Sequence, residues 1–314
     1  MITGAKILVA GGSGLVGANL TRRLVSDQAD VLATYATRPP RAGAENYRQF
    51  DFTRFEDCLA ATQGRDCVFM CAAKIGGAKS MREHPTAFVL PNLQIAAGLL
   101  EACVRNRVAK VVLISSSTVY PEASHPLAED ELDLNQPPFE LYFGVGWFNR
   151  YLEQLARFYR QAHGLAVEIV RPTNIYGPHD HFEDDQAHVL PALIKRALAR
   201  ENPFVVWGDG TAVRNFLYVD DFVEDLLLIA QRDCLGEPFN LAGPANHTIR
   251  ETVAVVLAAA EHAVTPQYDP TRPTAIPYRT LDTRRADACF GTRPRTPLAE
   301  GVRRTIAWYR QQTA

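Results

Sequence analysis

Three glycines near the start of the chain, Gly11, Gly14 and Gly17 in KILVAGGSGLVGANL, have the spacing that lets a backbone wrap around a pyrophosphate. They follow a strand-like run and open a helical one, so a tight turn, a close backbone approach and a helix N-terminus would all face one anion. The chemistry this suits is dinucleotide binding. An NAD site needs a carboxylate at the end of the second strand, about 20 residues past the glycines, to accept the ribose 2′-hydroxyl. Thr34 and Tyr35 stand there instead, and Arg38 follows in YATRPPR with Arg41 close by. Without the acid a 2′-phosphate is not repelled, and a guanidinium can grip it. NADP(H) is therefore expected, with NAD(H) the weaker alternative. The competing explanation is that these arginines are solvated loop residues beside two prolines.

The elements that must hold such a loop are legible in the first half. Short β-rich runs alternate with helical-period segments: KILVA then 15–26, DVLATY, DCVFMCAA then 86–106, KVVLISSS then 147–163, and LAVEIVRP. Strands joined by crossover helices predict an α/β fold, a doubly wound parallel (Rossmann) sheet covered on both faces. Beyond Arg171 the pattern loosens into a helix near 189–200, short strands at FVVWG and NFLYV, and helices at 221–231, 248–262 and 297–311. Residues 1–172, with 215–240 returning to them, are expected to form the dinucleotide-binding domain. Residues 173–214 and 241–314 are expected to form a smaller substrate-binding lobe over the sheet's C-terminal edge, where open α/β sheets bind ligands.

Composition narrows the partners. With 314 residues, 47% of them hydrophobic, the chain can bury a large core. A formal charge of −2 leaves no surplus to neutralise a phosphate backbone, so nucleic acid is not expected. No run approaches the roughly 20 apolar residues of a membrane span and no signal-peptide pattern precedes KILVA, which predicts no membrane partner and a cytoplasmic location. The six cysteines lack the paired spacing of a zinc site, and no metal is expected.

Ordered motifs run the length of the chain: GGSGLVG, CAAKIGG, SSSTVYP, RFYRQAHG, RPTNIYGPHDHF, HVLPALIKRAL, VVWGDGTAVRNFLYVDD and TPLAEGVRRTIAWYR. Together they resemble the extended short-chain dehydrogenase/reductases, the NAD(P)-dependent nucleotide-sugar epimerase/dehydratase family, with a pattern nearest to GDP-fucose synthase-like epimerase/reductases. The resemblance implies a nicotinamide cofactor across the sheet edge and a nucleotide-sugar in the smaller lobe, in a homodimer built on two helices per subunit. It places the cofactor on Gly11, Ser13, Gly14, Leu15, Val16 and Gly17. It adds Tyr35, Arg38, Asp51 and Phe52 beyond the second strand, and Ala72, Lys74, Asn149 and Pro172 along the groove. Ser116 matches a serine that hydrogen-bonds a sugar oxygen, and Asn174 lies in the segment entering the substrate site. Trp207 and Arg214 fall on substrate contacts, Arg214 at a diphosphate. His188 falls on the acid of the epimerising reductases and is also a substrate contact.

Each has a structural alternative. Ser116 could cap a strand end and Asn174 could be a turn residue. His188 could be a packed or capping histidine and Arg214 a surface ion pair.

The catalytic YxxxK pair of that family is missing. Counting without gaps back from His163-Gly164 and from Glu153, the two positions are Val145 and Asn149, and no lysine exists between Lys110 and Lys195. Thr118 stands where the epimerising members carry a cysteine base, and a threonine hydroxyl is a poor base near neutral pH. Tyr142, three residues before Val145, is the candidate substitute; its alternative is a packing role at the helix entrance. Two readings result. One is an NADP(H)-dependent enzyme that reduces, epimerises or dehydrates a nucleotide-activated sugar with a rearranged proton-transfer site built on Ser116, Thr118, Tyr142 and His188. The other is a catalytically silent NADP(H)-binding sensor or regulatory relative.

Overall fold

The computed structural model describes residues 4–40, 43–76, 83–84, 86–182, 187–232, 236–272 and 274–313; Arg41 lies outside them. Seven parallel strands form the central sheet: β1 (Lys6–Ala10), β2 (Asp30–Tyr35), β3 (Tyr47–Gln49), β4 (Cys67–Met70), β5 (Lys110–Ile114), β6 (Ala166–Pro172) and β10 (Pro238–Leu241). Their spatial order is β10-β6-β5-β4-β1-β2-β3, and the chain reverses direction across the sheet between β1 and β4. Ligands bind at such a switch point, at the strands' C-terminal ends.

Alternation along the strands explains the two covered faces. Ile7 and Val9 point to one side, where α1 (Leu15–Ser26) and α6 (Val219–Ala230) contribute Leu20, Leu24, Phe222 and Leu226. Leu8 and Ala10 point to the other, against α2 (Phe55–Thr62), α3 (Val89–Arg105) and α4 (Phe143–His163), with Leu99, Cys103, Leu152 and Ala156 at the contact.

A third core lies beside the sheet edge. There α5 (Val189–Leu198), α7 (Ile249–Ala259) and α9 (Leu298–Thr313) pack around Phe204, Phe216, Val253 and Val302. The region carries β7 (Asn174–Tyr176), β8 (Val205–Trp207), β9 (Val213–Tyr218), β11 (Asn246–Thr248), β12 (Gln267–Asp269), β13 (Tyr278–Arg279) and the short α8 (Arg284–Phe290). Strand β9 is its hub, pairing with β7, β11 and β13. None of the described helices is long and apolar enough to cross a membrane.

The doubly wound sheet expected from the strand–helix alternation is the sheet observed. Three features differ in detail. Helix α4 begins at Phe143, four residues before the expected 147, and β3 with α2 fills a stretch in which no element was expected. A three-residue strand and an eight-residue helix are too short for periodicity to reveal. Strand β10 closes the sheet edge beside β6, and its PFNL carries no alternation because both of its faces are buried.

Candidate active site

The glycine loop forms a cradle that only bare backbone can make. Gly11 has φ +80°, and a Cβ there would fall 2.6 Å from Cα of Ala72 at the end of β4. A Cβ on Gly17 would collide with the Gly11 carbonyl oxygen. Gly14 is the N-cap of α1, so the amides of the first helical turn, including Leu15 and Val16, have no partner within the helix. No acidic side chain occupies that turn to compete for them. This shape and field fit a dinucleotide pyrophosphate.

The other expected cofactor residues surround the cradle with differing roles. Thr34 is buried, and its Oγ1 accepts from the Gly11 amide at 3.0 Å, so the residue in the acid's place braces the loop. Tyr35 is half-buried at the end of β2, and exposed Arg38 meets Nδ1 of His181 at 2.8 Å. Asp51 is exposed, and bonds from Thr53 hold its carboxyl below the usual range. The Phe52 side chain is core, stacked with Phe50, and its carbonyl accepts from the Cys58 thiol at 3.4 Å. Lys74 is tethered through its backbone by Asn92, whose amide both accepts from Lys74 N and donates to its carbonyl. Half-buried Ser13 lies in the turn, and buried Pro172 ends β6.

Ser116 opens a tight turn after β5, where its Oγ accepts from the Thr118 amide at 3.2 Å. The Thr118 hydroxyl is buried and has no hydrogen-bond partner. The start of α4 lies against this turn, since a Cβ on Gly146 would fall 2.7 Å from the Thr118 carbonyl and 2.5 Å from Pro138. Helix α4 therefore meets this turn through its start, with Val145 in its first turn and Asn149 in its second. Asn149 is buried and donates its amide to the Val145 carbonyl at 2.9 Å, folding back on its own helix.

A buried network fixes the register of α4. Glu153, one turn beyond Asn149, accepts from Arg171 on β6 at 2.9 and 2.7 Å and from Ser115 at 2.6 Å. Arg171 also donates to Tyr120, which donates to Asn240 on β10. Removing one member of such a pair typically costs about 3–5 kcal/mol, because it strands a charge away from water.

Two arginines dominate the far side. Arg214 on β9 and Arg279 on β13 are register partners, 8% and 4% exposed, and no carboxylate among the described residues pairs with either. Burial lowers both pKa values, that of Arg279 to about 10, with Arg214 pushing it the same way. Tyr142, the N-cap of α4, lies close enough for its oxygen to oppose the effect on both. Two adjacent buried cations, with Glu122 acting on Arg279 only from beyond salt-bridge distance, are a candidate place for an anion. Arg279 escaped sequence reasoning, since YRTL resembles any short strand and only the β9–β13 pairing reveals its neighbour.

The remaining candidates lie on β7, on β8 and at the start of α5. Asn174 donates to the Asn215 carbonyl at 2.8 Å, beside Arg214. Trp207 is half exposed, with Arg272 over its ring at 5.7 Å. His188 caps α5 with its ring reached by solvent but crowded by protein, and that crowding and His181 disfavour its charged form. No hydrogen bond among the described residues joins His188 to Ser116 or Tyr142.

The match to known proteins agrees with this geometry. The model of the NAD dependent epimerase/dehydratase family matches residues 7–242. A probable GDP-L-fucose synthase 1 of Oryza sativa subsp. japonica is 31% identical over 316 residues, covering 98% of this chain and 92% of the relative. A dTDP-4-dehydro-6-deoxy-D-allose reductase of Streptomyces sp is 32% identical over 320 residues, covering 98% and 97%. The solved structure of MoeE5 in complex with UDP-glucose and NAD superposes with a TM-score of 0.85 at 27% identity, over 98% of this chain and 100% of that one. Agreement over this much of the chain, on a sheet of this topology, establishes that the protein belongs to the NAD dependent epimerase/dehydratase family, the extended short-chain dehydrogenase/reductases.

Proposed function

We propose that the protein is an NADP(H)-dependent enzyme acting on a nucleotide-activated deoxysugar by keto-reduction, epimerisation or dehydration. The observation that supports the substrate class is the Arg214–Arg279 pair, two buried guanidinium groups that no carboxylate among the described residues meets in a salt bridge and that suit a diphosphate. Names of the relatives agree, since both curated ones act on nucleotide-linked sugars. NADP(H) over NAD(H) is supported by the absent acid at the end of β2 and by Arg38 on the rim.

The nicotinamide, when bound, supplies the hydride chemistry. Ser116 presents a hydroxyl to the sugar oxygen, and Trp207 offers a flat face for a base. Val145 can neither give nor take a proton, and Asn149 cannot shift a neighbouring pKa by charge. Proton handling then falls to Tyr142, His188, Thr118 or water. The reading is residues 1–172, with 215–240, as the cofactor domain and 173–214 with 241–314 as the substrate lobe. Two copies would pair through α3 and α4.

Calorimetry tests the assignment. NADPH should bind at least about tenfold more tightly than NADH, and Arg38→Ala should erase most of that difference. Arg214→Ala should weaken a nucleotide-sugar such as GDP-mannose, UDP-glucose or dTDP-glucose about thirtyfold, a loss of about 2 kcal/mol, and leave NADPH unchanged. Equal loss of both ligands would make Arg214 structural. A silent cofactor-sensing relative remains the second reading, favoured by Val145 and Asn149; it is the correct one if NADPH binds and none of these sugars does.

A further inference from the structure

Arg279 does two things at once. Its NH1 donates to the Ser117 carbonyl at 2.9 Å and to the Tyr120 carbonyl at 3.3 Å, and NH2 also reaches Tyr120 at 3.4 Å. It thereby grips both ends of the turn that Ser116 opens. The same guanidinium faces Arg214 across the strand pair, and its Nε is buried without a hydrogen-bond partner among the described residues.

The turn it holds is weakly made from within. Its internal bonds are Thr118 N to Ser116 Oγ at 3.2 Å, Val119 N to Ser116 O at 3.3 Å and Tyr120 N to Ser117 O at 3.3 Å, all longer than the usual 2.9–3.0 Å. Its outer carbonyls lean on arginines instead: Ser117 and Tyr120 on Arg279, and Val119 on Arg150 at 2.7 Å. Of these two arginines, Arg279 is the one set beside Arg214.

We propose that Arg279 is a positioning residue that couples occupation of the phosphate subsite to the geometry of the Ser116 turn. With no anion present, two desolvated cations repel each other, and the hydrogen bonds of Arg279 among the described residues go to neutral carbonyls, with Glu122 acting on it only from a longer range. A bound diphosphate supplies the counter-charge and a partner for the free Nε–H. It fixes the guanidinium, and the guanidinium fixes the Ser117 and Tyr120 carbonyls and with them the Ser116 hydroxyl. Binding energy from the non-reacting end of the substrate is thus spent at the reacting end. The inference rests on the anion-binding reading of Arg214 and Arg279 and adds the coupling to it.

The test uses the full-length protein and inorganic pyrophosphate, with calorimetry for binding and amide hydrogen exchange of the segment spanning 116–120 for coupling. In the wild type, saturating pyrophosphate should slow exchange in that segment on the order of fivefold. Arg214→Gln should bind more weakly yet show the same protection once saturated. Arg279→Lys keeps the charge but cannot span both carbonyls, and should bind with little protection; Arg279→Gln should show none. Binding heat without slowed exchange in the wild type overturns the coupling and leaves the anion site standing. Equal protection in Arg279→Lys and the wild type also overturns it. Absence of any binding heat in the wild type overturns both.

Discussion

Asp180 follows β7 with one carboxylate oxygen accepting from the His181 amide at 2.8 Å and the other buried without a hydrogen-bond partner among the described residues. Burial pushes its pKa from 3.8 up to about 7. The native state therefore holds this proton more tightly than the unfolded chain. Stability from this group is complete below about pH 4 and declines as pH rises to about 7, then stays level, by at most about 4 kcal/mol. Asp180→Asn removes the penalty and keeps an oxygen for the His181 amide. Its denaturant midpoint should match the wild type near pH 4 and exceed it at pH 8; an equal or lower midpoint at pH 8 would show that Asp180 has a favourable partner when charged. Asp180 was not singled out from the sequence, because an aspartate in GPHDHF looks like any loop acid until its burial is known.

At the scale of elements, the first two turns of α4 decide what chemistry is open. The Gly146 contact with Pro138 and the Thr118 carbonyl, and the Glu153–Arg171 pair a turn beyond Asn149, hold the helix at fixed height against the Ser116 turn. Tyr142 is held at the helix entrance beside the arginine pair, away from the position Val145 occupies. Turnover of a bound nucleotide-sugar should accordingly separate the candidates. A loss of more than about 100-fold in Tyr142→Phe or His188→Asn identifies the proton-transfer group. The Val145→Tyr/Asn149→Lys double variant should not accelerate the native reaction, since half-buried Val145 leaves limited room and overfilling costs about 1–3 kcal/mol. If only that double variant turns over substrate, the silent-relative reading is correct.

At the scale of the molecule, the outer face of α4 is a ridge of aromatics. Phe143, Tyr151 and Phe158 each expose more than half their surface, Trp147 lies between them in the helix, and Leu90 on α3 is exposed as well. The spacing puts Phe143, Trp147 and Tyr151 on one helix face. Such a contiguous apolar surface suits the homodimer proposed above. Light scattering should give twice the chain mass, and Tyr151→Glu with Phe158→Glu should yield a folded monomer. Both residues lie at least two turns from Tyr142, so cofactor affinity should survive; a wild type that is already monomeric rules the dimer out.

Some of this was settled by sequence alone. Alternating strands and helices, the glycine triplet and the ordered motifs determined the doubly wound sheet, the cofactor end and the family, because periodicity and turn chemistry are local properties. Counting without gaps puts the family's two catalytic positions at Val145 and Asn149, which fall in the first two turns of α4. The tertiary structure decided what depends on chain segments far apart in sequence. Arg279 meets Arg214 only through the β9–β13 pairing, and reaches Ser117 across 162 residues. Phe52 joins the core and Thr34 braces the glycine loop because of neighbours that no local pattern encodes. Burial, and with it the energy of every unpaired charge, is set by the whole fold, and so the placing of Arg279 beside Arg214 is visible only there.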